Sequence, residues 1–523
     1  MTARPIRLLR GFATVGAWTM GSRVLGFLRD VMIAALLGAG PAAEAFFVAF
    51  RLPNMFRRFF AEGAFNMAFV PLFAKRLEGD GAEAARGFAE EALAALFWTL
   101  LALTALALLA MPALVFLLAA GFADDPERFG LAVIYGRVQF PYLLCMSLTA
   151  LLSGVLNALG RFAVPAAAPI LLNVILIGAM ALAAALAWPV GAALAWGVFA
   201  AGFAQAGLVW IAAERAGMRL RLRRPRLTPG VRRLVRLGVP GAISGGVTQI
   251  NLVIGTVIAS FFTGAVAWLS YADRLYQLPL GVVGVAVGVV LLPELSRRLR
   301  AGDAGGARDA AARASEFALA LTLPASAALV AIPGPIVATL FERGAFTADD
   351  AAATAAAVAL FGLGLPAFVL QKVVQPAYFA REDMVTPLRC AVWAMAANTA
   401  ISAFGALAVG WLAIPLGTSV AGWLNMWLLL RGARGFGDAL APDAALRRRA
   451  PRLLAASALM GAALAGAAWA LAGWLADPLL RWAALALLVG GGGALYAGLV
   501  ALLGGVSRAE LRAALRRGPA KAD

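Results

Sequence analysis

The sequence predicts an all-α polytopic membrane protein: fourteen transmembrane helices, arranged as two six-helix lobes in a pseudo-two-fold parallel repeat plus two extra C-terminal helices. Three observations carry this. The chain is 62% hydrophobic over 523 residues, with a mean hydropathy of +0.85, where a soluble domain is about 45–50% apolar. Basic residues alternate from loop to loop. A series of short motifs returns, in order, at one offset.

Apolar stretches of about 20 residues or more, enough to cross a bilayer, run over 11–37, 43–76, 87–119, 130–156, 165–187, 190–213, 231–262, 264–299, 309–341, 350–378, 385–407, 411–431, 450–474 and 479–503. The second and eighth are long and hold internal proline and arginine. Every even-numbered loop is basic, and the loop between segments six and seven carries nine arginines from Arg215 to Arg236. The odd-numbered loops are short and poor in basic residues, and that at Asp124-Asp-Pro-Glu127 is acidic. Lys and Arg accumulate on the cytoplasmic side, so both termini are expected there. No cleavable signal precedes the first segment, which is too long and too charged for one.

Val70-Pro-Leu-Phe-Ala-Lys-Arg-Leu77 recurs as Leu292-Pro-Glu-Leu-Ser-Arg-Arg-Leu299. Pro112 corresponds to Pro335, Gly121-Phe122 to Gly344-Ala-Phe346, Pro141 to Pro366, and Gly160–Pro165 to Glu382–Pro387, all at about 221–225 residues. Six segments per copy is an even number, so the copies share one orientation about an axis along the membrane normal. The expected organisation is an N-lobe over 1–214, a basic cytoplasmic linker over 215–236 and a C-lobe over 237–432. Segments 13–14 and a basic tail fill 433–523.

The stretch Gly21-Ser-Arg-Val-Leu-Gly-Phe-Leu-Arg-Asp30 places Arg23, Arg29 and Asp30 inside the first segment. An ionised side chain near the bilayer centre costs roughly 2.5–3.5 kcal/mol on insertion scales, so such groups face a water-filled cavity or a partner. Arg23 and Asp30 are two turns apart and share a face, with Arg29 about 120° away. Two arginines and one acid leave a surplus positive charge, which suits an anion; an internal ion pair is the plainer reading. Gly21 and Gly26 would permit a bend. In the second segment, Pro53 should kink the helix, with Arg57 and Arg58 one turn on and Arg51 able to snorkel. Asp273 and Arg274 sit at the equivalent place in the eighth segment, and Lys372 in the tenth. Charges at matching depth in both copies suggest a site between them. Asn157, Asn173, Asn251, Asn398 and Asn425 read as interhelical hydrogen-bond glue.

The net charge of +18 would suggest nucleic acid in a soluble protein. Here the arginines cluster between apolar segments, and no nucleic-acid partner is expected. The chain has no histidine, which excludes histidine metal sites and bases. Cys145 and Cys390 lie in apolar surroundings and read as packed thiols. No paired carboxylates, Cys/His clusters or nucleophile elbow is present, so neither an enzyme nor a metal site is expected.

Ser22–Asp30, Glu44–Phe50, Leu52-Pro-Asn54, Arg57–Phe65, Ala68-Phe-Val-Pro71, Tyr271–Leu275, Gly281–Gly288, Leu292-Pro293 and Thr386-Pro387 closely resemble the lipid II flippase (MurJ, MviN) family of the MOP exporter superfamily. The resemblance runs from about residue 15 to 430. Position 44 is Glu where Asp is frequent, and Gln277 stands where some relatives carry an acid.

This resemblance implies two lobes around a central cavity that opens alternately to each side. Its function would be to flip undecaprenyl-pyrophosphate muropeptide, lipid II, across the bacterial inner membrane. The cavity arginines map onto Arg23, Arg29, Arg57 and Arg274, with Asp30 nearby and Arg58 and Asp273 adjoining. Segments 13–14 would guide the lipid tail. No cofactor is expected. Membrane potential is the expected driver, with monovalent-cation coupling open. The chain is expected as a monomer among membrane lipids, associated with cell-wall synthesis machinery. The alternatives are a flippase for another polyprenyl-pyrophosphate-linked oligosaccharide, a drug or cation antiporter, and a membrane enzyme acting on polyprenyl pyrophosphates. The last two would need acidic clusters that this chain lacks.

Overall fold

The computed structural model describes residues 4–57 and 64–504 of the chain. All regular structure among them is helical: α1 (Arg4–Leu37), α2 (Pro41–Arg57), α3 (Ala64–Gly79), α4 (Gly81–Leu109), α5 (Met111–Leu118), α6 (Pro126–Gln139), α7 (Tyr142–Ala158), α8 (Ala163–Leu186), α9 (Val190–Arg215), α10 (Pro229–Ser260), α11 (Ala265–Arg300), α12 (Ala304–Ala331), α13 (Pro333–Phe341), α14 (Ala348–Phe379), α15 (Val385–Val409), α16 (Ala413–Gly432), α17 (Ala444–Ala470), α18 (Ala472–Ala476) and α19 (Leu480–Leu502). Each predicted segment falls on one helix or on two consecutive ones. Among the described residues, nine helical stretches are long and apolar enough to cross a membrane, with α6–α7 and α15–α16 each counted as one.

Proline and polar caps set the breaks. Pro112 and Pro333 stand in the first turns of α5 and α13, where no backbone N–H is needed. Asp125, Thr228, Thr347 and Asp443 each accept a backbone N–H at the start of α6, α10, α14 and α17. Such caps satisfy donors that the first turn leaves open.

Residues up to Ala267, joined by Arg343–Phe346, make one compact unit; Trp268–Glu342 and the chain from Thr347 onward make a second. Within the first, α4 packs on α7, α7 on α9, and α8 on α9; within the second, α12 packs on α14, α14 on α16, and α15 on α16. The same pairing order thus recurs in both. The rings of Phe69, Phe73 and Phe88 stack in the core of the first unit. In the second, Tyr378 is fully buried, its hydroxyl donating to the Leu429 carbonyl at 2.5 Å. There α17 and α19 lie on α12 and α13 through Ile332, Met460, Leu464 and Leu488.

Two repeat-equivalent glycines make tight backbone contacts inside the first unit. Gly344 takes a left-handed conformation, φ +58°, and a Cβ there would overlap the Ala35 carbonyl. The adjoining amide of Ala345 donates to that carbonyl at 2.8 Å. Gly38, φ +65°, approaches the Ala345 carbonyl just as closely. Gly121 lies against the backbone of Ser260 and Phe261, its amide donating to Ser260 Oγ at 2.9 Å.

The chain between α9 and α10 is an irregular strap along α4. Glu90, 2% exposed, accepts the Arg221 amide at 3.1 Å and pairs with the Arg223 guanidinium at 2.5 Å. Thr228 Oγ1 donates to Glu91 at 2.7 Å, and the Trp98 indole donates to the Arg223 carbonyl at 3.2 Å.

Candidate functional site

The charges of α1 divide. Arg29 and Asp30 are 7% and 6% exposed, whereas Arg23 is exposed and forms no ion pair among the described residues. Arg29 donates to Asp30 Oδ1 from Nε at 3.0 Å and from Nη2 at 2.7 Å, and from Nη1 to Asn173 Oδ1 at 2.9 Å. Asn173, on α8, returns its own Nδ2 to the Ser22 carbonyl at 2.9 Å. Both charges are therefore neutralised and hydrogen-bonded, the condition for burying an ion pair without a large penalty. The expected face-sharing of Arg23 with Asp30 does not become a contact: the neighbouring Arg29 side chain curls back onto Asp30. α1 runs as one helix through Gly21 and Gly26, which serve the approach of Ile170 and Asn173 on α8.

Arg57 ends α2, its side chain outside the described residues; Arg58 and Glu62 also lie outside them. Pro53 stands inside α2, and Asn54 Nδ2 donates to the Phe50 carbonyl at 3.0 Å, in the turn the proline weakens. Arg51 does not simply reach for the interface. Its Nη1 donates to Thr256 Oγ1 on α10, beside a small recess lined by Met55, Gln249 and Val253. In the second unit, Arg274 is exposed and Asp273 half-buried, with Gln277 Nε2 donating to Asp273. Lys372 is exposed, while Gln371 donates to the Gly422 carbonyl at 2.8 Å and accepts from Asn425 at 2.9 Å. Cys145 and Cys390 are buried free thiols.

A second buried ion pair was not read from the sequence. Glu44, fully buried, accepts Arg128 Nη1 at 3.2 Å and the Val266 amide at 3.3 Å. Arg128 also donates from Nε to Asp125 at 2.8 Å and lies over the Phe122 ring. The backbone N–H of Arg128, its guanidinium and the Glu127 N–H hold the Asp125 carboxyl below the usual range. The available signal was Asp125-Pro126, a helix cap with arginine three residues on.

Apolar helices of membrane length, packed in the same order in two units, define a polytopic helical membrane protein. The family model for lipid II flippase MurJ matches residues 33–479. A probable lipid II flippase MurJ of Rhizobium meliloti (strain 1021) is 49% identical, over 98% of this chain and 97% of that relative. Among solved structures, a lipid II flippase MurJ in an inward closed conformation superposes with a TM-score of 0.76 at 23% identity, over 96% of this chain and 99% of that one. An inward-facing MATE family transporter of the MOP superfamily gives 0.68 at 14% identity, over 82% of this chain and 98% of that one, a likeness of fold. The chain belongs to the lipid II flippase MurJ family: it is a membrane transporter of peptidoglycan synthesis and not an enzyme.

Proposed function

We propose that this protein moves lipid II, the undecaprenyl-pyrophosphate-linked muropeptide, from the cytoplasmic to the periplasmic leaflet by alternating access. The family match over residues 33–479 carries this reading. The loop charges and the repeat support fourteen crossings, two six-helix lobes and cytoplasmic termini, and the family membership supports a place in the bacterial inner membrane. Segments 13–14, packed on α12 and α13, offer the lipid tail a path. Arg23, Arg29, Arg57 and Arg274, with Arg58 nearby, bind the pyrophosphate, Arg29 by turning part of its guanidinium from Asp30 and Asn173 to the anion. Guanidinium forks match its oxygens bidentately, and low-dielectric walls strengthen the attraction. Asp30 and Asp273 act as positioning groups, holding cations in place. Binding of the anion offsets the positive charge and permits the lobes to rock. Return of the empty carrier moves positive charge, at about 2.3 kcal/mol per charge per 100 mV. This makes membrane potential the driver and leaves a monovalent cation as a second candidate.

The test is complementation of a flippase-depleted strain, reading lipid II on the outer face. Wild type should restore translocation, and Arg29→Ala and Arg274→Ala should not. Full activity of both variants, at normal membrane levels, would overturn the assignment of the site.

A further inference from the structure

We propose that the strap between α9 and α10 is a binding site for acidic phospholipid headgroups. Its arginines divide by role. Arg223 is spent on Glu90, whereas Arg219, Arg221, Arg224 and Arg226 are exposed and make no ion pair among the described residues. The acids that the strap contacts are already engaged, Glu90 by Arg223 and the Arg221 amide, and Glu91 by Thr228. Four guanidinium groups therefore stand along a backbone held still at three points.

The apolar neighbours select a membrane over an aqueous partner. Met218 and Leu220 are buried, anchoring the strap, while Leu222 and Leu227 are 46% and 71% exposed among the arginines. The strap's backbone meets α4 at Trp98, itself 42% exposed, on a helix long and apolar enough to cross a membrane. Tryptophan beside an arginine–leucine alternation is the composition of a membrane interface. A nucleic acid or an acidic protein surface would leave those leucines and that indole in water. An acidic phospholipid satisfies both parts, its phosphate on the guanidinium groups and its acyl chains against the leucines. The site is separate from the α1 charges. It does not depend on which side of the membrane the strap faces, so it can fail without the flippase reading failing, and the reverse.

The experiment is native mass spectrometry of the full chain released from nanodiscs of equal acidic and zwitterionic phospholipid. Wild type should retain acidic lipid preferentially. The variant R219Q/R221Q/R224Q/R226Q keeps Arg223 and the strap's anchors, and should lose at least about tenfold in retention, since each basic residue near an anionic surface adds to partitioning. Glu90→Gln keeps every arginine but frees the strap, and should also reduce retention; unchanged retention would overturn the claim that pinning builds the site. Added inorganic phosphate should not displace the lipid. Displacement by phosphate, equal retention by the quadruple variant, or no acidic preference in wild type would overturn the proposal.

Discussion

Arg29 holds the carboxylate of its own neighbour Asp30 with two donors, at 3.0 and 2.7 Å, and offers its remaining edge to Asn173. The pair places a fixed guanidinium inside α1 without leaving a net charge there.

Removing the acid alone should be costly. Asp30→Asn leaves Arg29 buried with only neutral acceptors, and breaking one side of a buried pair costs about 3–5 kcal/mol. Thermal unfolding in detergent should show this loss, and the double variant R29Q/D30N should recover part of it. A double variant no more stable than D30N would show that the two groups act independently.

Asn173 is the test of how the pair is held. Asn173→Leu removes an acceptor from Arg29 and a donor from the Ser22 carbonyl, and buried groups left unmatched cost about 1–3 kcal/mol. Translocation should fall together with stability, since Arg29 then rests on Asp30 alone. Unaltered unfolding and transport would remove Asn173 from the site.

The glycine contacts predict a steric effect. In Gly344→Ala the left-handed backbone alone costs roughly 1–2 kcal/mol, and the Cβ meets the Ala35 carbonyl. Separation of Ala345 from α1 should follow. A cysteine at Ala345 should therefore label faster with an impermeant maleimide when Gly344→Ala is added. Cys145 and Cys390 are buried and give a low background. Equal labelling rates would mean that the contact does not hold this region closed.

Asp125 gives a pH signature. Its folded pKa lies below the unfolded value of about 3.9 because it accepts the amides of Arg128 and Glu127 and faces the Arg128 guanidinium. The stability it contributes is present above that unfolded value and is lost as pH falls through the lower folded one. The gap in melting temperature between wild type and Asp125→Asn should be open at neutral pH and close on acidification below about pH 4. A gap independent of pH would deny the carboxylate its role.

The helices were legible because their main signals are local: apolar length and the basic or polar residues that separate one apolar stretch from the next. The clustering of charge in α1 was legible for the same reason. Its pairing was not. Helical spacing ranked Arg23 with Asp30, but a long guanidinium can turn back on the next residue, and that choice depends on what α8 presents. Asn173 belonged to a correctly suspected class, interhelical glue, without a stated partner. Glu44 and Arg128 lie 84 positions apart, and no spacing rule joins residues on separate helices. The hydroxyl of Thr256 as the partner of Arg51 was hidden likewise.

The adjacency of Arg29 and Asp30 bears on how the chain is made. Their bond needs only α1 itself, so it can form as soon as that helix leaves the ribosome. Asn173 follows 144 residues later, which at about 5–20 residues per second is on the order of ten seconds of synthesis. During that interval the translocon handles a first helix whose inner charges already cancel, and only Arg23 remains to be sheltered.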